Sequence, residues 1–579
     1  MNTKTNNLFK TFKITACIQV CAAILFTLFS VSFHADISLL AFPLCLVYTG
    51  IYVYFTIIKL VKETNGKYFI TVEKLNSYLP YLFLVAFIIR RAGDNGTSFA
   101  YDLITVFLWV IVFVTTIILT RTQNEKKADA LTENWAVKPS FKKPKGKFRV
   151  IWEVFDWLDA IVWALFTVML VQIFIFQLYT IPSESMVPTF LIKDKVAVSK
   201  FDCGPKFPLT DIGLPDFRKY KRGDTIVLRN PHYTIDRKSE VKSVTSQLIY
   251  MLTLMQVNIN RDEDGQPKAD PLVKRICGLP GEQLVMQDGV LYTRTASSDE
   301  WTPSQMDEKY ASWNLNTLNQ NIKSKVQRIP LSQDDYQTLL SFEEERRKYD
   351  LPAAKVQAKL LTDKMKTFVS ANDKSSLFTP PSLLMYEFFD LNNIQDLTRR
   401  IMTQKGGIEW FEEFVNSAFD NLNSSKDLYT ESNYKLNAMA KICFANLSCR
   451  YAQLIRDNIS AANWASDSIL SENIKLAQKL VWYVQMILDS RNMPVFPACD
   501  SNGNPQYIPS DSYFMMGDNR FNSLDLRHSN DYFLKTLTGQ DSNSFTYMSI
   551  MNPQYINKKY IIGKPVFRFW PASRMARIR

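Results

Sequence analysis

The chain has 579 residues, 47% of them hydrophobic and 21% charged, with a formal net charge of +12. That length predicts several domains of ~100–200 residues. The positive charge does not point to nucleic acid: residues 1–157 hold 18 basic and 10 acidic side chains, so +8 of the +12 lies between apolar runs, where membrane topology and anionic lipid account for it.

Four apolar runs, Ile14–Phe33, Ile37–Ile58, Tyr101–Leu119 and Leu158–Tyr179, each approach the ~20 residues needed to cross a bilayer. A fifth, Tyr78–Ile89, reaches that length only by extending back over Lys74 and Glu73. Basic residues set the orientation. Lys4, Lys10 and Lys13 precede the first run, Lys59, Lys62, Lys67 and Lys74 fill the next basic loop, and residues 121–157 carry nine Lys or Arg. The loop 34–36 has none, and the loop 90–100 has Arg90 and Arg91. Five spans put every strongly basic loop on one side, as the positive-inside rule requires. The N-terminus is therefore expected in the cytoplasm and everything after Tyr179 outside it. The first run is not read as a cleavable signal, because further spans follow it and no small-residue cleavage site follows Phe33.

Beyond the spans the pattern changes twice. Lys195–Ser199 and Thr225–Leu228 are β-branched runs, and Gln287-Asp288-Gly289 predicts a hairpin between Leu284–Met286 and Val290–Tyr292. Residues 231–270 interrupt this part, with an apolar run at Leu248–Ile259 read as a helix. From about 294 to 505 the chain reads as helical and polar. Ser332 and Asp335 form a capping-box pattern, and helices are expected over 353–369, 394–403, 409–421 and 434–459. Ile474, Ala477, Val481, Val484 and Leu488 mark one apolar helix face. Strand character returns at Ser512–Met516 and Pro565–Trp570. The fold class is thus a multi-span α-helical membrane region followed by a mostly-β domain interrupted by a large α-helical insertion. Its parts are a membrane region at 1–157 with about four spans, an anchor helix at 158–180, β-rich stretches at 181–293 and 506–579, and the insertion at 294–505. The eight cysteines show neither metal spacing nor a disulfide framework.

Ser185 follows the last span closely, in Ser183-Glu184-Ser185-Met186-Val187-Pro188-Thr189. As a nucleophile it needs a base, and the chain offers three histidines, His34, His232 and His528. His528 lies near Ser523 and Asp525, but three triad members within six positions rarely converge. A lysine is the alternative, provided that burial lowers its pKa from ~10.4. Lys274 is the candidate, in the apolar strand Leu272-Val273-Lys274-Arg275-Ile276-Cys277, where alternation places Lys274 and Arg275 on opposite faces. A strand with two solvent-facing basic residues is the plainer reading of that segment alone.

Five ordered blocks resemble bacterial signal peptidase I, the membrane-bound Ser-Lys endopeptidase family. They are Ile181–Phe190, Arg222–Val227, Lys274–Glu282, Gly517–Arg527 and Gly563–Pro571. The resemblance implies Ser185 as nucleophile, Lys274 as general base, and Ser183 with the backbone N–H of Ser185 as oxyanion hole. It implies that Ser523 orients the lysine and that Asp525 and Arg527 form a supporting ion pair. Met186, Pro188, Asp518 and Asn519 are implied as substrate-binding or structural, with Asp518 and Asn519 the more plausible turn formers. Phe521, Leu526 and Cys277 depart from the family pattern without touching a proton-transfer position.

The implied activity is removal of signal peptides from exported preproteins at Ala-x-Ala-like sites. It would act on the outer, periplasmic face of a bacterial cytoplasmic membrane, with no cofactor, no metal and no nucleic acid. The implied partners are secretory preproteins, the phospholipid membrane and the protein-export translocon. A Ser-Lys peptidase with another substrate and a non-enzymatic membrane scaffold are the alternatives. Five spans weigh against the first, and the presence of both Ser185 and Lys274 weighs against the second.

Overall fold

The computed structural model describes residues 3–93, 97–141, 147–231, 233, 236–253, 255–261, 265, 268, 270–369, 376–422 and 427–578. His232, Lys142, Lys143 and Lys145 lie outside the described residues.

Among the described residues five helices are long and apolar enough to cross a membrane: Leu8–Leu28, Ile37–Lys62, Gly66–Ala92, Phe99–Thr122 and Arg149–Phe174. The third does extend back over Glu73 and Lys74. The first four pack around Phe26, Phe83 and Trp109. One polar cluster inside this bundle satisfies itself, Gln19 Nε2 donating to Asn76 Oδ1 and Thr116 Oγ1, each at 2.7 Å. Unsatisfied, such groups would cost several kcal/mol each in hydrocarbon, of the order of ~4–8. The fifth span stands largely apart, with 6% of its apolar window buried in the protein.

That fifth helix spans Lys147–Phe174, so it both starts and ends earlier than the predicted anchor at 158–180. Residues Phe176–Thr180 form a strand instead, paired with Lys195–Ser199. An apolar run says that its residues are removed from water, and a strand in a sheet removes them as well as a helix in lipid.

The strands, in chain order, are β1 Phe176–Thr180, β2 Lys195–Ser199, β3 Thr225–Leu228, β4 Leu272–Gly278, β5 Glu282–Gln287, β6 Val290–Thr295 and β7 Ser298–Pro303. After the helices come β8 Met493–Phe496, β9 Ser512–Met516, β10 His528–Thr536, β11 Thr546–Met551, β12 Ile556–Asn557, β13 Ile561–Trp570 and β14 Ala576–Arg577. An antiparallel sheet runs β1-β2-β13-β3-β4-β9-β12, with β14 on β13. Strands from both ends of the soluble part therefore interleave, and β4 lies between β3 and β9. A second sheet runs β7-β6-β5-β8. Its central hairpin turns at Asp288 and Gly289, both with positive φ (50° and 79°), as the Asp-Gly pattern predicts.

The helical insertion is narrower than 294–505. Strands β7 and β8 belong to the second sheet, and the helices run from Gln305 to Arg491. They pack around Leu428–Arg456, a 29-residue helix with a buried apolar face. Ser332 caps Gln333–Arg347 by accepting the Asp335 N–H at 3.0 Å, as the capping pattern predicts. The expected helices appear at Leu351–Lys366, Leu391–Thr403, Gly407–Ser417 and Ser468–Trp482. The run Leu248–Ile259 is helical only as far as Leu252, in the helix Arg237–Leu252. The hairpin β10–β11, within the stretch 506–579 read as β-rich, packs on the helical core through Phe545, just before β11, and Tyr547. All eight cysteines are free.

Candidate active site

Lys274 pairs with Ile226 on β3, and its neighbour Arg275 pairs with Met516 on β9. Both side chains are buried, each 2% exposed, where alternation had predicted one solvated face. The second face is covered by Tyr310 from the insertion, whose ring lies 3.7 Å from the Arg275 guanidinium carbon. Arg275 spends its charge on Asp518, donating from Nε at 2.7 Å and from Nη2 at 2.6 Å. Asp518 is therefore one half of a buried bidentate pair, more than a turn former.

The Lys274 ammonium donates to Ser523 Oγ at 2.9 Å. Burial pushes its pKa down to about 8, against the opposing pull of Asp525. Asp525 itself would be raised by burial. The charge and hydrogen bond of the adjacent Arg527 guanidinium, acting together with the Lys274 ammonium, oppose that effect and hold the carboxyl well below the usual range. Arg527 Nε donates to Asp525 Oδ1 at 2.9 Å, and the Gly517 N–H donates to Oδ2 at 2.9 Å. Arg527 also donates to the backbone carbonyls of Ser490 and Arg520. The ion pair thus fixes the loop that carries Ser523.

Ser185 lies in the turn that follows β1, with Ser183 Oγ donating to Ser185 Oγ at 3.4 Å. Asn519 holds this turn twice, its N–H donating to the Ser185 carbonyl at 3.0 Å and its Nδ2 to the Glu184 carbonyl at 3.0 Å. A Cβ at Gly517 would stand 2.2 Å from Ser523 Oγ and 2.4 Å from the Ser185 carbonyl oxygen. Only a glycine lets those two serines close on the same point. Among the described residues Lys274 makes no direct hydrogen bond to Ser185; the two are gathered around Ser523 and Gly517. Met186 is buried with Phe190, Val196, Val198 and Val227, and Pro188 follows Val187 across a cis peptide bond.

Glu184 is the site residue that the sequence did not single out. It is buried, and its carboxylate accepts the backbone N–H groups of Gln327 at 2.5 Å and Arg328 at 3.2 Å. Val187 and Leu191 pack against Leu315, Leu318, Ile322, Val326 and Ile329 of the same inserted segment. Nearby, the Ser312 N–H donates to the Asp518 carbonyl at 2.8 Å, and Arg520 pairs with buried Asp307 at 2.7 Å. The insertion's first part is therefore built into the wall of the site. Apolar residues at 315, 318, 322, 326 and 329 carried a signal for this, as spacings of three and four.

Five apolar helices thus lead into an antiparallel sheet that groups a loop serine with a buried lysine, the outline of a membrane-bound protein. The sequence matches the family described as "Signal peptidase, peptidase S26" at residues 154–356 and 465–570, more than half of the chain, and the chain belongs to that family. It is 35% identical over 96 residues to Signal peptidase I of Buchnera aphidicola subsp. Schizaphis graminum, covering 17% of this chain and 29% of that protein. It is 26% identical over 178 residues to Signal peptidase I of Haemophilus influenzae, covering 31% and 49%. It is 27% identical over 139 residues to Signal peptidase I P of Bacillus subtilis subsp. natto, covering 24% and 50%. The chain spans at most about half the length of these curated relatives. The centre of the insertion, residues 357–464, lies outside the family match.

Proposed function

We propose that this protein is a signal peptidase I, cleaving signal peptides from exported preproteins through a Ser185–Lys274 dyad. The observation that carries the reading is the buried Lys274 amine, hydrogen-bonded to Ser523 and lowered to about 8, in one cluster with the Ser185 turn. Neutral Lys274 takes the Ser185 proton as Oγ attacks the scissile carbonyl carbon. The Ser183 hydroxyl and the Ser185 N–H receive the oxyanion, each such donor being worth ~3–4 kcal/mol of barrier. The lysine then gives its proton to the departing amine of the mature protein. Water, deprotonated by the same amine, hydrolyses the acyl-enzyme and frees Ser185.

Placement supports the substrate. Ser185 follows the fifth span with one strand between, so its reach from the membrane surface matches the end of a signal peptide's apolar core. The substrate's extended segment would pair with a strand edge, and shallow pockets would select Ala-x-Ala-like side chains. Orientation by the basic loops puts this site on the extracytoplasmic face, periplasmic in a two-membrane cell, where preproteins emerge from the export translocon. The reaction needs no cofactor. Purified protein in liposomes should cleave a preprotein at its Ala-x-Ala site, and Ser185→Ala or Lys274→Ala should each abolish cleavage. Full activity in either variant would sink the dyad.

A further inference from the structure

Where the spans meet the main sheet, a cavity of about 640 Å3 opens between the fifth span, the loop 200–216 and the helix Arg237–Leu252. It lies beside the C-terminal ends of the third and fifth spans, at Ile88 and Ile173. The loop beside it is fastened to the third, fourth and fifth spans. The Phe207 ring meets those of Phe87, Trp109 and Phe174 at 6.1, 5.2 and 4.9 Å, and Arg91 Nη2 donates to the Leu209 carbonyl at 2.9 Å. The membrane-side wall is apolar, formed by Ile88, Met169 and Ile173. The opposite wall is polar.

Lys200 and Arg229 line the polar wall. The Lys200 ammonium donates to two neutral oxygens, the Gln172 carbonyl at 3.4 Å and Gln177 Oε1 at 3.2 Å. Among the described residues no carboxylate lies within ion-pair distance of it. Of the carboxylates around the cavity, Glu240 faces Arg229 itself, Asp216 accepts the Arg218 N–H at 2.9 Å, and the rest have partners away from Lys200. Asp211 pairs with Lys206 at 2.8 Å, Asp511 with Lys558 at 2.8 Å, and Asp270 accepts the Asn230 N–H at 2.9 Å. Glu240 is divided between Arg229 at 3.5 Å and Arg237 at 3.3 Å. Burial, with Arg229 adding repulsion, pushes the Lys200 amine down to about 8. A cation so placed gains most from an anion brought in from outside.

We propose that this cavity binds the phosphate of a phospholipid headgroup, held by Lys200 and Arg229, with the acyl chains leaving along Ile88, Met169 and Ile173. A free phosphate offers the same charge but leaves the apolar wall and most of the volume unfilled.

The test is native mass spectrometry of the full chain released from nanodiscs. The discs would contain phosphatidylglycerol, or diacylglycerol of the same acyl chains. The wild-type chain should retain one phosphatidylglycerol and no diacylglycerol, and excess inorganic phosphate should not displace the lipid. In Lys200→Gln and in Arg229→Gln, retention should fall about tenfold or more, as loss of a charge-assisted hydrogen bond implies. Lys200→Arg should keep it, which separates loss of the site from loss of the fold. Equal retention of diacylglycerol, unchanged retention in both Gln variants, or displacement by inorganic phosphate would each overturn the proposal.

Discussion

Glu184 and Gln327 are joined by a part-buried hydrogen bond across the boundary between the Ser185 turn and the helical insertion. The carboxylate also takes the Arg328 N–H, so a charged group flanked by Ser183 and Ser185 is anchored by backbone donors alone. Glu184→Gln removes the charge and turns one acceptor into a donor facing an N–H. Hydrogen bonds to charged groups contribute ~1.5–3 kcal/mol, so kcat should fall roughly 10- to 100-fold with KM little changed. Glu184→Asp should recover part of the loss. Steady-state kinetics on a signal-peptide substrate reads this, and an unchanged kcat in Glu184→Gln would show that the anchor does not position Ser185.

The same contact bears on removing the insertion. A chain lacking residues 305–491 loses Tyr310 from Arg275, Asp307 from Arg520, and the N–H donors of Glu184. Cleavage of even a short peptide should be lost. If a deletion starting after residue 329 keeps peptide cleavage, the first part of the insertion serves the site and the remainder serves something else.

Lys274 sets the pH dependence. Burial lowers its amine to about 8 from an ordinary ~10.4, so the neutral base accumulates as pH rises from 6 to 9. The rate should climb over that interval and level off above it; a flat profile would exclude a lysine base. The stability contribution has a definite sign too. Between about 8 and ~10.4 the unfolded chain holds the proton that the folded chain has released, so this group makes stability rise with pH there. Below about 8 both states are protonated and its contribution is flat. Denaturant titrations of wild type and Lys274→Met at pH 7 and 10 would measure the difference.

Ser183 gives a prediction with a different signature. Its hydroxyl lies 3.4 Å from Ser185 Oγ and is exposed, so Ser183→Ala should leave folding unchanged. An oxyanion donor acts in the transition state, so kcat should fall ~10²–10³-fold with KM nearly constant. A loss confined to KM would make Ser183 a substrate contact instead.

The grouping of Ser185, Lys274, Ser523, Asp525 and Arg527 was legible because each stands within a short, recognisable block. The Lys274–Ser523 contact joins residues 249 positions apart, yet the order of the blocks was enough to pair them. Glu184's anchor was not legible, since its donors are the backbone N–H groups of Gln327 and Arg328, which any sequence supplies. The end of the fifth span was misplaced because Phe176–Tyr179 is apolar in either a helix or a strand. Arg275 was expected in water because the ring that covers it, Tyr310, comes from a segment with no motif of its own.

Lys441 and Asp541 test how far the insertion and the sheet depend on each other. Lys441 belongs to the long central helix and Asp541 to the β10–β11 loop, and their charged atoms meet at 2.5 Å with both side chains fully buried. Lys441 also donates to the Phe414 carbonyl at 2.7 Å and Ser417 Oγ at 2.8 Å, while Asn437 Nδ2 donates to Asp541 at 2.7 Å. Removing one partner leaves the other as an uncompensated buried charge, which costs ~3–5 kcal/mol, whereas apolar replacement of both is often near neutral. Asp541→Ala should therefore lower the unfolding midpoint sharply, and Lys441→Met with Asp541→Leu should recover most of it. Because β10 begins at His528, directly after Arg527, loosening this hairpin also loosens the loop that holds Ser523. Asp541→Ala should then lose activity below its unfolding midpoint, in step with released protection of the Asp525–His528 amides in hydrogen exchange. Full activity up to the midpoint would mean that the hairpin serves stability alone.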